Sequence, residues 1–157
     1  MKTIIGIDPG LSGAIAYLYE DGAAHIEDIP TVGGDIDGPN LSSLFYVLMR
    51  SLHGPAHVFL EKQQAIPGMG ISSAATFKAG VIYGQIKQAA IDQGLPLTEI
   101  RAAEWKKYFR LKGGDKESAR KRALELYPTL AGDLARKKDH NRAEALLIAT
   151  YGKRKGV

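Results

Sequence analysis

Two acidic residues follow short apolar segments at points where the chain is expected to turn. Asp8 comes directly after the apolar segment 3–7 and before Pro9-Gly10, and Glu61 ends the segment 57–61. The ends of neighbouring strands form an edge where ligands bind, and a buried carboxylate needs a partner or a metal ion. Both acids are therefore candidates for one site. The alternatives are that Asp8 only begins a turn and that the strand before Glu61 reaches the surface there.

A third acidic residue lies in a segment with helical periodicity near the end of the sequence. Glu144 belongs to 139–151, a predicted helix whose core-facing residues at helical spacing are Ala143, Leu146, Leu147 and Thr150. His140 precedes Glu144 by four residues, which places both side chains on one face, and Asp139 stands at the start of the helix. The alternative is a surface pair between His140 and Glu144, with Asp139 as the helix cap.

Together these residues form an oxygen-rich set of ligands. Asp8, Glu61 and Glu144, with His140 or Asp139, suit Mg²⁺ or Mn²⁺ better than zinc. Two such ions roughly 4 Å apart can activate a water and stabilise the leaving oxygen of a phosphodiester. Because the sequence contains no cysteine, zinc–thiolate sites, disulfides and thiol nucleophiles are excluded.

Charge is distributed unevenly over the 157 residues. Residues 1–100 contain 5 Lys or Arg against 10 Asp or Glu, whereas residues 101–157 contain 16 against 7. An acidic part with candidate metal ligands and a basic part favour a polyanion as the binding partner. The alternative is a solvated basic helix face.

The elements that must hold these residues follow a definite order. Antiparallel strands are predicted at 3–7, 13–19 and 24–29, with the turn signal Asp21-Gly22 between the last two. Residues 31–40 are predicted as a loop, after which Asn40 caps a helix. The later predicted elements are a strand at 57–61, a helix at 72–93, a strand at 97–100, and helices at 102–109, 115–127 and 139–151. This order predicts the α/β class, with a five-stranded mixed sheet and helices on both faces.

The length and the opening residues give expectations about organisation and location. A chain of 157 residues fits a single domain over 1–157. The opening MKTIIGIDPG lacks the apolar run of a signal peptide, and no stretch approaches the roughly 18 apolar residues of a membrane span. We therefore expect a cytoplasmic protein with no membrane partner.

Segments spread over nearly the whole chain resemble, in order and spacing, the RuvC-like Holliday-junction resolvases, and in particular their short phage-type members. IIGIDPGLSGAIAYL resembles the family's first motif, and VFLEKQQAIPGMG resembles the strand and loop with its second acid. SSAATFKAGVIYGQIKQAA is similar to the helix that joins two subunits. EWKKYFRLKGGDKESARKRA is similar to a basic element facing DNA, and KKDHNRAEALLIATYG to the last helix of the site. The resemblance implies an RNase H-like fold.

The resemblance also implies an activity, that of a crossover junction endodeoxyribonuclease acting on branched DNA. Asp8, Glu61 and Glu144 would hold two Mg²⁺ ions, or Mn²⁺, and His140 or Asp139 would supply the earlier group on the last helix. We favour His140, because it shares a face with Glu144. A homodimer would cut the two-fold symmetric junction by paired nicks. No nucleotide cofactor is expected.

A set of DNA contacts follows from the same resemblance. Gln63 and Gln64, with the loop 68–70, are candidates to probe the strand beside the site. The basic residues expected to contact phosphates are Lys106, Lys107, Arg110, Lys112, Lys116, Arg120, Lys121 and Arg122. Such contacts predict binding that weakens steeply with salt.

Three other functions fit parts of the pattern. A phosphate-transfer enzyme of the sugar-kinase and actin superfamily also begins with a strand followed by Gly, Ile, Asp and Gly, but it needs two such domains and the chain is too short for both. A RuvC-like nuclease that acts on structured RNA would have the same site. A DNA-binding relative with a decayed site would keep the basic segment 101–122, although the retention of all the acids argues against decay.

Overall fold

The computed structural model describes residues 2–52, 54–65, 68–113 and 115–156. Positions 66, 67 and 114 of the motifs quoted above, and residues 1 and 157, lie outside these ranges. The strands in the described ranges are β1 Thr3–Asp8, β2 Ala14–Leu18, β3 Ala24–Asp28, β4 Thr31–Val32, β5 Asp35–Ile36, β6 Ala56–Glu61 and β7 Leu97–Ile100. The helices there are α1 Gly38–Ser51, α2 Ser73–Ile91, α3 Ala102–Tyr108, α4 Lys116–Leu126 and α5 His140–Arg154.

Five strands form one mixed sheet with β1 at its centre. The strand order is β3-β2-β1-β6-β7, where β1, β2 and β3 pair antiparallel and β1, β6 and β7 pair parallel. The register pairs Ile7 of β1 with Leu60 of β6. Asp8 and Glu61 are the next residues of their strands, so both acids lie at the same edge of the sheet. The predicted five-stranded mixed sheet is confirmed.

Helices cover both faces of this sheet, as predicted. On one face, alternate residues of β1 such as Ile5 and Ile7 pack with Leu41 and Phe45 of α1 and with the buried side of α2. On the other face, the alternate residue Ile4 packs in a cluster with α3, α4 and α5. The side-chain alternation of the strands therefore divides the core into two layers.

Helix α5 lies very close to the central strand. A Cβ atom at Gly6 of β1 would overlap with the backbone of Ala145 and Ala149 of α5. At the far end of the helix, a Cβ at Gly152 would overlap with the ring of Phe59. Two positions without a side chain thus set the depth of α5 on the sheet, and Glu144 is adjacent to the first of these contacts.

Three local predictions were wrong. Asn40 does not cap α1, because the carboxylate of Asp37 accepts the hydrogen bond from the Asn40 backbone N–H and the helix already begins at Gly38. The predicted loop 31–40 contains the hairpin of β4 and β5, whose two-residue strands are too short for a periodic signal. The last helix continues to Arg154 instead of ending at 151.

The predicted orientation of α5 is correct but incomplete. Ala143, Leu146 and Leu147 are buried as predicted, and so is every residue from Ala145 to Gly152. The helical periodicity predicted which side of α5 faces the sheet. Further residues of α5 are buried because α4 also packs against this helix. Within the described ranges, no helix is both long enough and apolar enough to cross a membrane.

Candidate active site and nucleic-acid interface

Two buried carboxylates lie at the ends of adjacent parallel strands. Asp8 ends β1 and Glu61 ends β6, and each residue is only 8 % exposed. Glu144 reaches the same region from α5, whose close contact with Gly6 brings the helix over β1. The three predicted acids are near enough that the charges of Glu144 and Glu61 both raise the pKa of Asp8.

Asp8 is the acid with the strongest electrostatic perturbation. Burial raises its pKa well above the usual aspartate range, the charges of Glu144 and Glu61 raise it further, and the ammonium of Lys106 partly opposes them. Among the described residues, none donates a hydrogen bond to the Asp8 carboxylate. A buried carboxylate without a donor is stabilised only by a proton, a water or a cation.

Glu61 differs from Asp8 because it has donors. The indole Nε1–H of Trp105 donates to Oε2 of Glu61 at 2.8 Å, and the Gln63 amide donates to Oε1 at 3.4 Å. Burial raises the pKa of Glu61, while the Trp105 hydrogen bond and the charge of Lys106 oppose that increase. The net result is a raised pKa, so both strand-end acids hold a proton more tightly than a solvated carboxyl group.

Lys106 lies inside this acidic region. Its Nζ is 3.5 Å from Oε1 of Glu144 and 5.0 Å from the centroid of the Trp105 ring. The sequence predicted Lys106 as a phosphate contact. In the structure its ammonium lies beside Glu144 and acts to lower the raised pKa values of Asp8 and Glu61, and the phosphate contact stays a prediction.

His140 and Glu144 line one cavity of about 230 Å³ together with Lys106, Lys112 and Lys116. The His140 Nδ1 is 3.1 Å from the Lys137 carbonyl oxygen, which orients the ring. Asp8 and Glu61 do not line this cavity. The structure therefore brings His140 to the Glu144 side of the acidic region, beside lysine side chains.

Asp139 is paired with an arginine. Its carboxylate accepts hydrogen bonds from the backbone N–H and the guanidinium of Arg136, with distances of 2.8–3.2 Å. Burial raises the pKa of Asp139, but these hydrogen bonds outweigh burial and the pKa is lowered. Asp139 thus completes the short 3-10 turn Lys137–Asp139 before α5, and its negative charge is already paired.

The ligand chemistry of the acidic region suits a hard divalent cation. Across residues 2–52, 54–65, 68–113 and 115–156, no three His, Asp or Glu side chains converge as a metal site. The fit rests on the donor set: the uncompensated carboxylate of Asp8, the free lone pairs of Glu61, and Glu144 beside an ammonium. These are the oxygen ligands that Mg²⁺ and Mn²⁺ prefer.

The predicted DNA contacts separate into two groups. Arg120 is bound to the Glu117 carboxylate and the Leu134 carbonyl, and Arg122 donates to Glu125 at 2.8 Å, so both are already engaged. The exposed members of the predicted set are Lys107, Arg110, Lys112, Lys116 and Lys121. Gln64 is exposed at the opening of a separate cavity of about 740 Å³, which Gln63 and the loop 68–70 also line.

Sequence reasoning did not select four residues that contribute to this region. Trp105 binds Glu61, and Asn141 donates to the Ser12 carbonyl at 2.7 Å, which ties the start of α5 to the loop after Asp8. Lys137 and Lys138 line a cavity of about 600 Å³ with Lys116 and His140. The only signal in the sequence was that Trp105 is the sole tryptophan and immediately precedes a predicted basic residue.

Comparison with known proteins places this geometry in a known architecture. T. thermophilus RuvC in complex with a Holliday junction substrate matches over 99 % of this chain and 97 % of its own, with a TM-score of 0.63 and 19 % sequence identity. The chain has a RuvC-like fold. A second Thermus thermophilus RuvC structure matches over 98 % and 96 % of the two chains, with a TM-score of 0.57 and 21 % identity.

A eukaryotic protein shares the RuvC-like fold. The yeast mitochondrial Holliday junction resolvase Ydc2 matches over 94 % of this chain and 75 % of its own, with a TM-score of 0.50 and 19 % identity. No protein-family model and no curated protein sequence matches the chain. The predicted RNase H-like α/β class and the resemblance to RuvC-like resolvases are confirmed at the level of the fold.

Proposed function

We propose that this protein is a metal-dependent endonuclease that cuts branched DNA and resolves four-way junctions by paired nicks. The observation that carries the proposal is the group of Asp8, Glu61 and Glu144 at one edge of a RuvC-like sheet. Two of these acids are buried, and Asp8 has no hydrogen-bond donor among the residues that the structure describes. A similar structure was solved with a Holliday junction. We expect residues 1–157 to act as one nuclease domain in the cytoplasm.

In this proposal Asp8, Glu61, Glu144 and His140 hold two Mg²⁺ ions, for which Mn²⁺ can substitute. Bound there, the ions supply activation of an attacking water and charge stabilisation at the leaving oxygen of the phosphodiester. His140 serves as a ligand or accepts the proton of the attacking water, because it lines the Glu144 cavity with one ring nitrogen beside the Lys137 carbonyl. Asp139 has no direct role, since Arg136 holds its carboxylate.

The chain's own side chains balance the charge of the site. Lys106 is close enough to Glu144 to reduce its negative charge when DNA approaches with its phosphates. Asn141 fixes the start of α5 to the loop after Asp8 and so keeps His140 and Glu144 in place over β1. These contacts limit the rearrangement needed on binding, which is how preorganised sites favour the transition state.

We propose that the DNA backbone follows the exposed cations beside the Glu144 cavity. Lys112 and Lys116 line that cavity, and Lys137 and Lys138 extend the basic surface past His140. Lys107, Arg110 and Lys121 are exposed on the same basic part of the chain. Arg120 and Arg122 contribute less, because binding phosphate would break their pairs with Glu117 and Glu125.

A homodimer is also part of the proposal. The first half of α2 is exposed almost throughout, and Phe77 on it is 75 % exposed. Val81, one turn further along the helix, and Met69 and Ile71 before it are also exposed, so this end of α2 presents an apolar surface. Exposed apolar surface of this kind is typical of subunit interfaces. A two-fold dimer would present two active sites to a two-fold symmetric junction.

The test is the cleavage of a labelled four-way DNA junction in Mg²⁺ by the wild type and by Asp8→Asn. We expect symmetric nicks from the wild type, loss of cleavage in Asp8→Asn, and junction binding by both. Asp21→Asn is the matched control, because it makes the same chemical change at an exposed turn between β2 and β3 and should cut normally. Tight binding by the wild type without cleavage in Mg²⁺ or Mn²⁺ would contradict the proposal, and cleavage of structured RNA alone would identify RNA as the substrate.

A further inference from the structure

A single side chain connects two of the three acids. Trp105 donates its indole N–H to Oε2 of Glu61 at 2.8 Å, and the ring lies under Lys106, whose Nζ is 5.0 Å from the ring centroid. The same Nζ is 3.5 Å from Oε1 of Glu144. Trp105 therefore contacts Glu61 on β6 directly and Glu144 on α5 through Lys106.

The position of Trp105 is fixed by packing. The side chain is fully buried in the core layer beneath α5, together with Ala119 and Ala123 of α4. A buried indole N–H needs an acceptor, and here that acceptor is a carboxylate. Close packing restrains the ring, and the hydrogen bond passes that restraint to the Glu61 oxygen.

The hydrogen bond distinguishes the two oxygens of Glu61. Oε2 is occupied by the indole, whereas Oε1 receives only the 3.4 Å contact from Gln63. Oε1, which has only the longer contact, therefore has more free acceptor capacity for a cation than Oε2. Hydrogen-bond partners that orient a metal-ligating side chain in this way commonly determine the affinity of the metal site.

We propose that Trp105 is a positioning residue for the metal site, which orients Glu61 through its indole N–H and keeps Lys106 beside Glu144 through its ring face. This inference rests on the proposed metal site. A role in packing alone would require the volume of the ring but not the N–H group. Replacement of Trp105 by a smaller aromatic residue removes the N–H group and keeps an aromatic ring, and a measurement of the free energy of unfolding accounts for the lost volume.

The first experiment compares Trp105→Phe with Tyr127→Phe by Mn²⁺ calorimetry. Tyr127 is the matched control, because it packs against the same core layer and its hydroxyl makes one side-chain hydrogen bond, 2.9 Å to Thr150, away from the acids. We expect Trp105→Phe to weaken Mn²⁺ binding by about 10- to 100-fold, the range for partners that orient metal ligands. Tyr127→Phe should bind Mn²⁺ like the wild type. The Mn²⁺ concentration for half-maximal junction cleavage should rise in the same proportion, with KM for the junction unchanged.

The second experiment leaves Trp105 in place and so does not depend on the folding of a variant at that position. Trp105 is the only tryptophan of the chain, so intrinsic fluorescence reports on this residue alone. We expect saturable quenching by Mn²⁺ in the wild type. In Glu61→Gln, which keeps an acceptor for the indole but loses the charge, quenching should require at least about tenfold more Mn²⁺.

The outcomes separate this inference from the proposed function. Unchanged Mn²⁺ affinity in folded Trp105→Phe, or fluorescence that does not respond at Mn²⁺ concentrations that saturate the calorimetric signal, would overturn the positioning role even if junctions are cut. Conversely, weakened Mn²⁺ binding and the expected quenching in a protein that cuts no junction would support the positioning role and overturn the proposed function.

Discussion

The chain holds two groups of carboxylates around the start of α5, and their surroundings differ in kind. Asp8 and Glu61 are buried beside Glu144, with raised pKa values caused first by burial. Asp28 and Asp139 are instead bound by arginines. The hydrogen bond from Arg142 lowers the pKa of Asp28, and Arg136 lowers that of Asp139 in spite of burial.

This difference separates acids whose charge is paired within the fold from acids whose charge is not. The arginine-bound carboxylates have their charge and lone pairs satisfied within the fold, by bidentate or multiple hydrogen bonds. The strand-end group has excess negative charge, opposed in the described chain by Lys106. Unpaired negative charge at this position lowers the stability of the folded protein and attracts a cation.

The largest expected effect comes from Asp8→Asn. We expect cleavage to fall by about 10³-fold or more, the scale seen when one member of a group that acts together is removed. In the absence of metal, the same variant should be more stable than the wild type, because a buried charge and its repulsion by Glu144 and Glu61 are removed. Urea denaturation in EDTA measures this, and a destabilised Asp8→Asn would show that the carboxylate is a structural group after all.

Asp139→Asn should have the opposite combination of effects. The free energy of unfolding should fall by about 1.5–3 kcal/mol, the usual contribution of hydrogen bonds to charged groups, because Arg136 loses its partner. Cleavage per folded molecule should be retained. Junction cleavage at a temperature well below the unfolding transition, corrected for the folded fraction, checks this. Abolished cleavage with unchanged stability would instead make Asp139 the ligand on the last helix.

The two groups should also give opposite pH dependences to the stability of the metal-free protein. A lowered pKa in the folded state means that Asp28 and Asp139 stabilise above the ordinary carboxyl pKa of about 4 and lose that effect as the pH falls. The raised pKa of Asp8 and of Glu61 means that stability is lost as the pH rises through their folded-state values.

Thermal denaturation from pH 3 to pH 8 in EDTA should therefore show a maximum at mildly acidic pH, and Asp8→Asn should reduce the decline above it. Mg²⁺ should restore stability at neutral pH in the wild type, by about 2.7 kcal/mol when its concentration is 100 times Kd. If Mg²⁺ stabilises Asp8→Asn by the same amount, the ion binds at a site that does not include Asp8.

The smallest effect is expected at Asp28→Asn. The pair with Arg142 is bidentate but largely solvent-exposed on the aspartate side, so its removal should cost about 1 kcal/mol or less. Added NaCl should reduce the difference from the wild type further. Equilibrium urea titrations at low and high salt compare the two proteins, and a loss of several kcal/mol would mean that exposed and buried arginine pairs act alike here.

The sequence allowed most of the fold to be predicted, because apolar runs and turn residues mark β1, β2, β6 and β7 directly. The predicted helix 115–127 is likewise confirmed as α4, which Asp115 caps. The β4–β5 hairpin was missed, since two-residue strands leave no periodic pattern. Cap geometry at Asp37 depends on which of two nearby polar side chains reaches a backbone N–H, and composition does not determine that.

The sequence allowed the acids of the candidate site to be predicted, but not the residues that form hydrogen bonds with them. Asp8 and Glu61 could be found because each interrupts an apolar strand at its end. The pairing of Trp105 with Glu61 joins residues 44 positions apart and follows only from how α3 packs against the sheet. The choice between His140 and Asp139 depends on Arg136, three residues before Asp139, whose side chain folds back to the turn.

The contact at Gly6 has a consequence for how such a protein can change over evolutionary time. The distance between the strand that ends in Asp8 and the helix that bears Glu144 is set by one backbone resting against another. Even one methyl group at Gly6 would force the two elements apart. Together with Gly152, whose missing side chain makes room for the ring of Phe59, Gly6 therefore limits the substitutions that the chain can accept without moving Glu144 away from the strand that ends in Asp8.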